Sequence, residues 1–110
     1  MSSKNIFDIN DDNYQIIEQS VIPAVLLLYA SWSGPSGMVK TEMEQLAPSF
    51  QGKAILGFVN IDGETRDIQG KYAISTVPTT LFFKNGNVVD MFEGPATEGA
   101  IEVKLEQLLE

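Results

Sequence analysis

Apolar residues in this chain fall either in unbroken runs or in stripes at helical spacing. Ala24 to Ala30 is an unbroken run rich in Val and Leu, bounded by Pro23 and by Ser31-Trp32-Ser33-Gly34. Such a run predicts a strand buried on both faces, and therefore a central one. Ile55 to Ile61 predicts a second central strand. Between the two, Val39, Met43, Leu46, Ala47 and Phe50 recur at the spacing of one helix face. Pro35 suits the first turn of that helix, Pro48 should distort its last turn, and Gly52 should end it.

Ile6, Phe7 and Ile9 predict a short opening strand. Asn10-Asp11-Asp12 then predicts a helix start with acids in its first turn, and Tyr14, Ile16 and Ile17 supply its apolar positions until Val21-Ile22-Pro23 breaks it. Asp62-Gly63-Glu64 turns the chain into a short helix from Thr65 to Tyr72. Thr79 to Phe83 reads as a strand, Asn85-Gly86 as a tight hairpin, and Val88 to Phe92 as its antiparallel return. After Gly94-Pro95-Ala96, Thr97 is the expected N-cap of a closing helix whose stripe is Ile101, Leu105, Leu108 and Leu109. The order β-α-β-α-β-α-β-β-α predicts one α/β domain over residues 1–110, a mixed sheet with helices on both faces.

Two zeros narrow the chemistry. The 110 residues contain no Cys and no His. Zinc ribbons, haem and iron–sulfur sites, Ser-His-Asp triads, Cys-His dyads and disulfides are thereby excluded, and no metal or cofactor is expected. Fifteen acids against seven bases give a net charge of -8. The bases Lys4, Lys40, Lys53, Arg66, Lys71, Lys84 and Lys104 are scattered, so nucleic acid and anionic membrane are not expected partners. The acids read as a solubilising surface. Met1 to Asn5 lacks the apolar core of a signal peptide, and Ala24 to Ala30 is too short to cross a bilayer. The expectation is a cytoplasmic monomer.

Generic motifs add little. No phosphate-cradling glycine string occurs. Asp8, Asp11 and Asp12 lack the spacing and glycine of a calcium loop and read as a helix start. Asp62 and Glu64 read as turn residues. Ser36 and Lys40 stand four residues apart, the spacing of a Ser-Lys pair, although a surface lysine is the simpler reading. One segment stands out. Ala30-Ser31-Trp32-Ser33-Gly34-Pro35-Ser36-Gly37 joins the buried strand to the long helix.

Here the chain resembles the thioredoxin family, which carries W-C-G-P-C where this chain has Trp32-Ser33-Gly34-Pro35-Ser36. It is similar to that family also in Asn60-Ile61-Asp62, Lys71-Tyr72, Val77-Pro78-Thr79, Phe82-Phe83-Lys84-Asn85-Gly86 and Gly94. The resemblance spans essentially the whole chain and implies the thioredoxin-like fold. It also implies a cis bond at Val77–Pro78. The family's reaction is thiol–disulfide exchange: a thiol at a helix N-terminus is acidified by the backbone N–H groups and dipole there, and a second thiol resolves the mixed disulfide.

Ser33 and Ser36 stand at the positions of the nucleophilic and resolving cysteines. Serine forms no disulfide, so the expectation is a redox-inactive chain. Other parts of the apparatus differ as well. Leu27 stands where thioredoxins usually bury an Asp, Phe58 where many carry its Lys partner, Gly37 where a base usually follows the second cysteine, and Thr41 where the helix carries a proline.

The resemblance further implies a groove for protein or extended-peptide partners, formed by Trp32, Gly34, Pro35, Val77, Pro78 and Gly94. Two histories fit this chain: natural loss of the thiols leaving a binding module, or Cys-to-Ser substitution of an active protein disulfide reductase, whose partners would include a thioredoxin reductase. A third reading is a structural subunit in a larger assembly.

Overall fold

Five strands form one sheet in which the first strand of the chain lies beside the third, followed by the second, fourth and fifth. The computed structural model describes residues 6–110. Its elements are β1 (Ile6–Asp8), α1 (Gln15–Glu18), β2 (Ala24–Tyr29), α2 (Gly34–Phe50), β3 (Ile55–Asn60), α3 (Arg66–Lys71), β4 (Thr79–Lys84), β5 (Asn87–Glu93) and α4 (Glu98–Leu108). β1 and β2 run parallel to β3, while β4 is antiparallel to β2 and β5 to β4. The mixed α/β sheet expected from the sequence is present.

Alternation along β2 divides the interior. Val25 and Leu27 face one side with Leu56, Phe58 and Phe82, packed against Val39, Met43, Leu46, Ala47 and Phe50 of α2 and Ile101 and Leu105 of α4. Ala24, Leu26 and Leu28 face the other side with Leu81 and Phe83, packed against Ile9, Tyr14, Ile17 and Ile68. Residues Ala24 through Leu28 have no exposed surface at all. Burial on both faces is why the run carries no polar position.

The hairpin forms as its sequence requires. Asn85 and Gly86 both have positive φ, at 54° and 81°, the geometry of a type I′ turn. Gly86 has a second reason to lack a side chain, since a Cβ there would lie 2.2 Å from the Glu18 carbonyl oxygen. α2 remains helical through Pro48 to Phe50, and Gly52 follows with φ of 79°. Thr97 caps α4, its hydroxyl accepting from the Ala100 N–H at 3.1 Å. Leu109 departs from the expected stripe: it lies beyond α4 and is 40% exposed.

The first helix is also corrected. α1 covers only Gln15–Glu18, and no side chain caps it. Asn10 and Asn13 instead fold the preceding segment on itself: Asn10 Oδ1 accepts from the Asp12 and Asn13 N–H groups, and Asn13 Oδ1 from the Asn10 N–H. Asp11 serves a distant helix, accepting from the N–H groups of Asp67 at 3.1 Å and Ile68 at 3.2 Å. Its carboxylate thus satisfies the otherwise unpaired donors at the start of α3. Among the described residues, no helix is long and apolar enough to cross a membrane.

Candidate functional site

The β2–α2 junction is built by Ser33. Its backbone N–H donates to the Ala30 carbonyl at 3.1 Å, and its extended φ and ψ make it the N-cap of α2. Its hydroxyl accepts from the Ser36 N–H at 3.3 Å. Gly34 and Pro35 occupy the exposed first turn, where proline's missing N–H costs nothing. Ser36 is completely buried, and its Oγ accepts from the Ala30 N–H at 3.4 Å. The two hydroxyls therefore act as backbone acceptors that close the turn.

The conceivable Ser36–Lys40 pair is not made. Lys40 Nζ lies over the Tyr29 ring, 4.3 Å from its centroid, and 5.1 Å from that of Phe58. Among the described residues, Ser36 Oγ is hydrogen-bonded to the Ala30 N–H and to no basic side chain. The same corner is apolar at the two positions where the resemblance leads one to expect a buried carboxylate and its lysine. Leu27 and Phe58 are cross-strand partners, 0% and 2% exposed, and Tyr29 packs edge-on against Phe58. On the other side of Leu27 is Thr80, fully buried, with its hydroxyl unpartnered among the described residues. Thr41 donates its hydroxyl back to the Gly37 carbonyl at 3.1 Å, a bond the proline expected in the family would not make.

Trp32 is 69% exposed but held in place, because its indole N–H donates to Asp62 Oδ2 at 3.0 Å. Asn60 fixes that acid in turn, its Oδ1 accepting from the Asp62 N–H at 2.9 Å. Asp62 thus positions an aromatic side chain, a role the local sequence gave no means of seeing: turn residues carry no signal for a contact thirty residues away. A depression of about 310 Å³ runs beside Trp32, lined by Ile61, Ile74, Ser75, Thr76 and Val77.

Thr76 and Thr79 brace the Val77 loop, the Thr79 hydroxyl donating to the Thr76 carbonyl at 2.6 Å. The Val77–Pro78 peptide bond is cis. Pro78 is buried, and its carbonyl accepts from the Gly94 N–H at 2.8 Å. Trp32 and Val77 therefore share one groove, whereas Gly34, Pro35, Pro78 and Gly94 do not line it. Among the described residues, neither the N–H nor the C=O of Val77 has a hydrogen-bond partner.

Perturbed titrations lie away from this groove. Burial, reinforced by the hydroxyl bond to Tyr72, pushes the Tyr14 phenol far up. The Lys104 ammonium lowers the Asp90 carboxyl. Among the described residues, no group of three acidic side chains is placed to hold a metal ion.

This architecture has known counterparts. The Thioredoxin family model matches residues 5–107. The chain belongs to the thioredoxin family. It is 38% identical over 102 residues to a thioredoxin of Chlorobaculum thiosulfatiphilum, covering 92% of this chain and 94% of that one. It is 37% identical over 108 residues to thioredoxin 2 of Chlorobaculum tepidum, covering 97% of each. A mitochondrial thioredoxin of Mus musculus is 34% identical over 105 residues, which are 94% of this chain and 63% of that protein. Thioredoxins are thiol–disulfide oxidoreductases that act on protein substrates. This chain contains no cysteine.

Proposed function

We propose that this chain is a redox-inactive thioredoxin-family domain, monomeric and cytoplasmic, that binds extended protein segments non-covalently beside Trp32. The supporting observation is the pairing of an exposed, pinned indole with an unpaired stretch of backbone. Trp32 presents a flat amphipathic face at small entropic cost, since Asp62 already holds it. Across the groove, the free N–H and C=O of Val77 are what an added strand requires. Serine at positions 33 and 36 removes covalent capture without disturbing the turn.

Trp32 is the single tryptophan, so its fluorescence reports on this groove alone. Titration with extended peptides bearing one large apolar residue should shift that emission saturably, and Val77→Pro should abolish the shift by removing the N–H. A flat titration would overturn the reading. With dithiothreitol and insulin, the chain should show only the uncatalysed rate of disulfide reduction.

A second reading is favoured by the fit of Ser36, whose hydroxyl is buried and bonded where a sulfur would sit. On this reading the chain is a Cys-to-Ser form of an active protein disulfide reductase, served by a thioredoxin reductase. Ser33→Cys with Ser36→Cys would then restore insulin reduction. Cysteine codons at both positions of the natural gene would establish it.

A further inference from the structure

The charge around the Trp32 groove is one-sided. Its own walls, Trp32, Ile61, Ile74, Ser75, Thr76 and Val77, carry none. A second hollow, which includes the indole's acceptor Asp62, is lined by Asp11, Asp62, Gly63, Glu64, Arg66 and Asp67, four acids against one base. Asp11 is engaged with the start of α3 and Asp62 gives one oxygen to the indole. Glu64 and Asp67 are exposed, and their carboxylates have no hydrogen-bond or ion-pair partner among the described residues.

Arg66 is the one base lining that hollow. Lys71 pairs with Glu18 at 3.0 Å, Lys104 with Asp90 at 2.7 Å, and Lys40 lies over Tyr29 and Phe58. Gly37 and Phe58 bring no base to the start of α2 or to β3. The neutral groove and this hollow of four acids and one base thus meet at the Trp32–Asp62 bond, within a chain of net charge -8.

We propose that the segment bound in this groove is basic: an extended peptide with one apolar anchor against Trp32 and Val77, and Lys or Arg a few residues away facing Asp62, Glu64 and Asp67. This rests on the groove reading above and adds the chemistry of the partner. An extended chain advances about 3.3 Å per residue. A base two or three residues from the anchor thus stands about 7–10 Å along the chain from it. An acidic segment would meet like charge along the same path, which penalises it and slows its encounter.

Three peptides sharing one Leu anchor and flanked by Lys, Gln or Glu test this, with Trp32 fluorescence as the readout. The Lys peptide should bind at least about tenfold more tightly than the Glu peptide at low salt, and the advantage should shrink to about twofold near 0.5 M salt. Glu64→Gln with Asp67→Asn, which leaves the Asp62–Trp32 bond in place, should remove most of the preference. Equal affinities for all three peptides would overturn the basic-partner inference and leave the groove reading standing. Preference for Lys that survives the double substitution would overturn the placement of the charge. Failure of all three to bind would overturn both readings.

Discussion

Leu27 on β2 lies directly across from Phe58 on β3, and the two fill that corner of the core with hydrocarbon. The two are coherent as a pair. Either charge alone in this position would lose its hydration with no partner to compensate. Lys40 reaches the same corner from α2, but its ammonium rests on the Tyr29 and Phe58 rings. The cation is thus accommodated by aromatic faces and needs no carboxylate.

Leu27→Asp should therefore destabilise the fold by about 2–4 kcal/mol. Desolvation favours the neutral acid, so the new carboxyl titrates above its unfolded value of about 3.9. The unfolded chain then releases its proton first. The part of the penalty due to charge is absent at pH below that value and grows as pH rises through it. Denaturant melts at acidic and neutral pH check this. Adding Phe58→Lys should recover part of the loss at neutral pH, and the double-mutant cycle measures how much. In the Ser33→Cys, Ser36→Cys background, Leu27→Asp should accelerate resolution of a mixed disulfide, since it supplies the missing proton acceptor.

Ser33 matters to the fold whatever its history. Its hydroxyl caps the 17-residue α2 through the Ser36 N–H. Ser33→Ala should cost about 1 kcal/mol, and Ser33→Asp should largely preserve stability because Asp is an equally good cap. Chemical denaturation of the two variants separates a capping role from simple packing at this site. Equal losses in both would assign the residue no capping contribution.

Asp90 and Lys104 join β5 to α4 at 2.7 Å. The ion pair, helped by the Met91 N–H, holds the Asp90 carboxyl below its ordinary range. A depressed native value contributes stability above the unfolded value of about 3.9, and that contribution is lost as pH falls through the native one. Partial exposure limits it to less than about 1 kcal/mol. Lys104→Met should accordingly lower stability slightly at pH 7 in low salt, with the difference fading at acidic pH and in high salt. Thermal melts across pH and ionic strength read this directly.

What could be read from sequence was what is encoded locally. The central strand announced itself because burial on both faces leaves no polar position in Ala24 to Ala30. The hairpin did so because two successive left-handed residues select Asn-Gly. The strand–turn–helix at Trp32 to Ser36 needs only its own residues to form. Asp11, Asp62 and Thr80 were not legible in the same way. Asp11 reads from sequence as part of the start of the helix beside it, yet its carboxylate serves one 56 residues away. Asp62 looked like a turn residue, and its indole contact exists only once α2 and β3 are assembled side by side. The shortness of α1 follows from similar competition: Asn10 and Asn13 draw the backbone donors of their segment into side-chain bonds before a helix can use them.

Thr80 carries the last prediction. It lies in one cross-strand row with Leu27 and Phe92 and is fully buried, with an unpartnered hydroxyl. A buried hydroxyl without a partner loses its hydration and gains nothing in return, a cost of about 1–3 kcal/mol. Valine has nearly the same shape, suits a strand, and has no polar atom to desolvate. Thr80→Val should therefore stabilise the protein by about 1 kcal/mol, while Thr80→Ala should destabilise it by opening a cavity beside Leu27. Valine lowering the denaturation midpoint would show that the hydroxyl is hydrogen-bonded in solution, by a buried water beside Leu27. In that case Leu27→Asp should be milder than the hydrocarbon corner implies, because its carboxyl would find the same water.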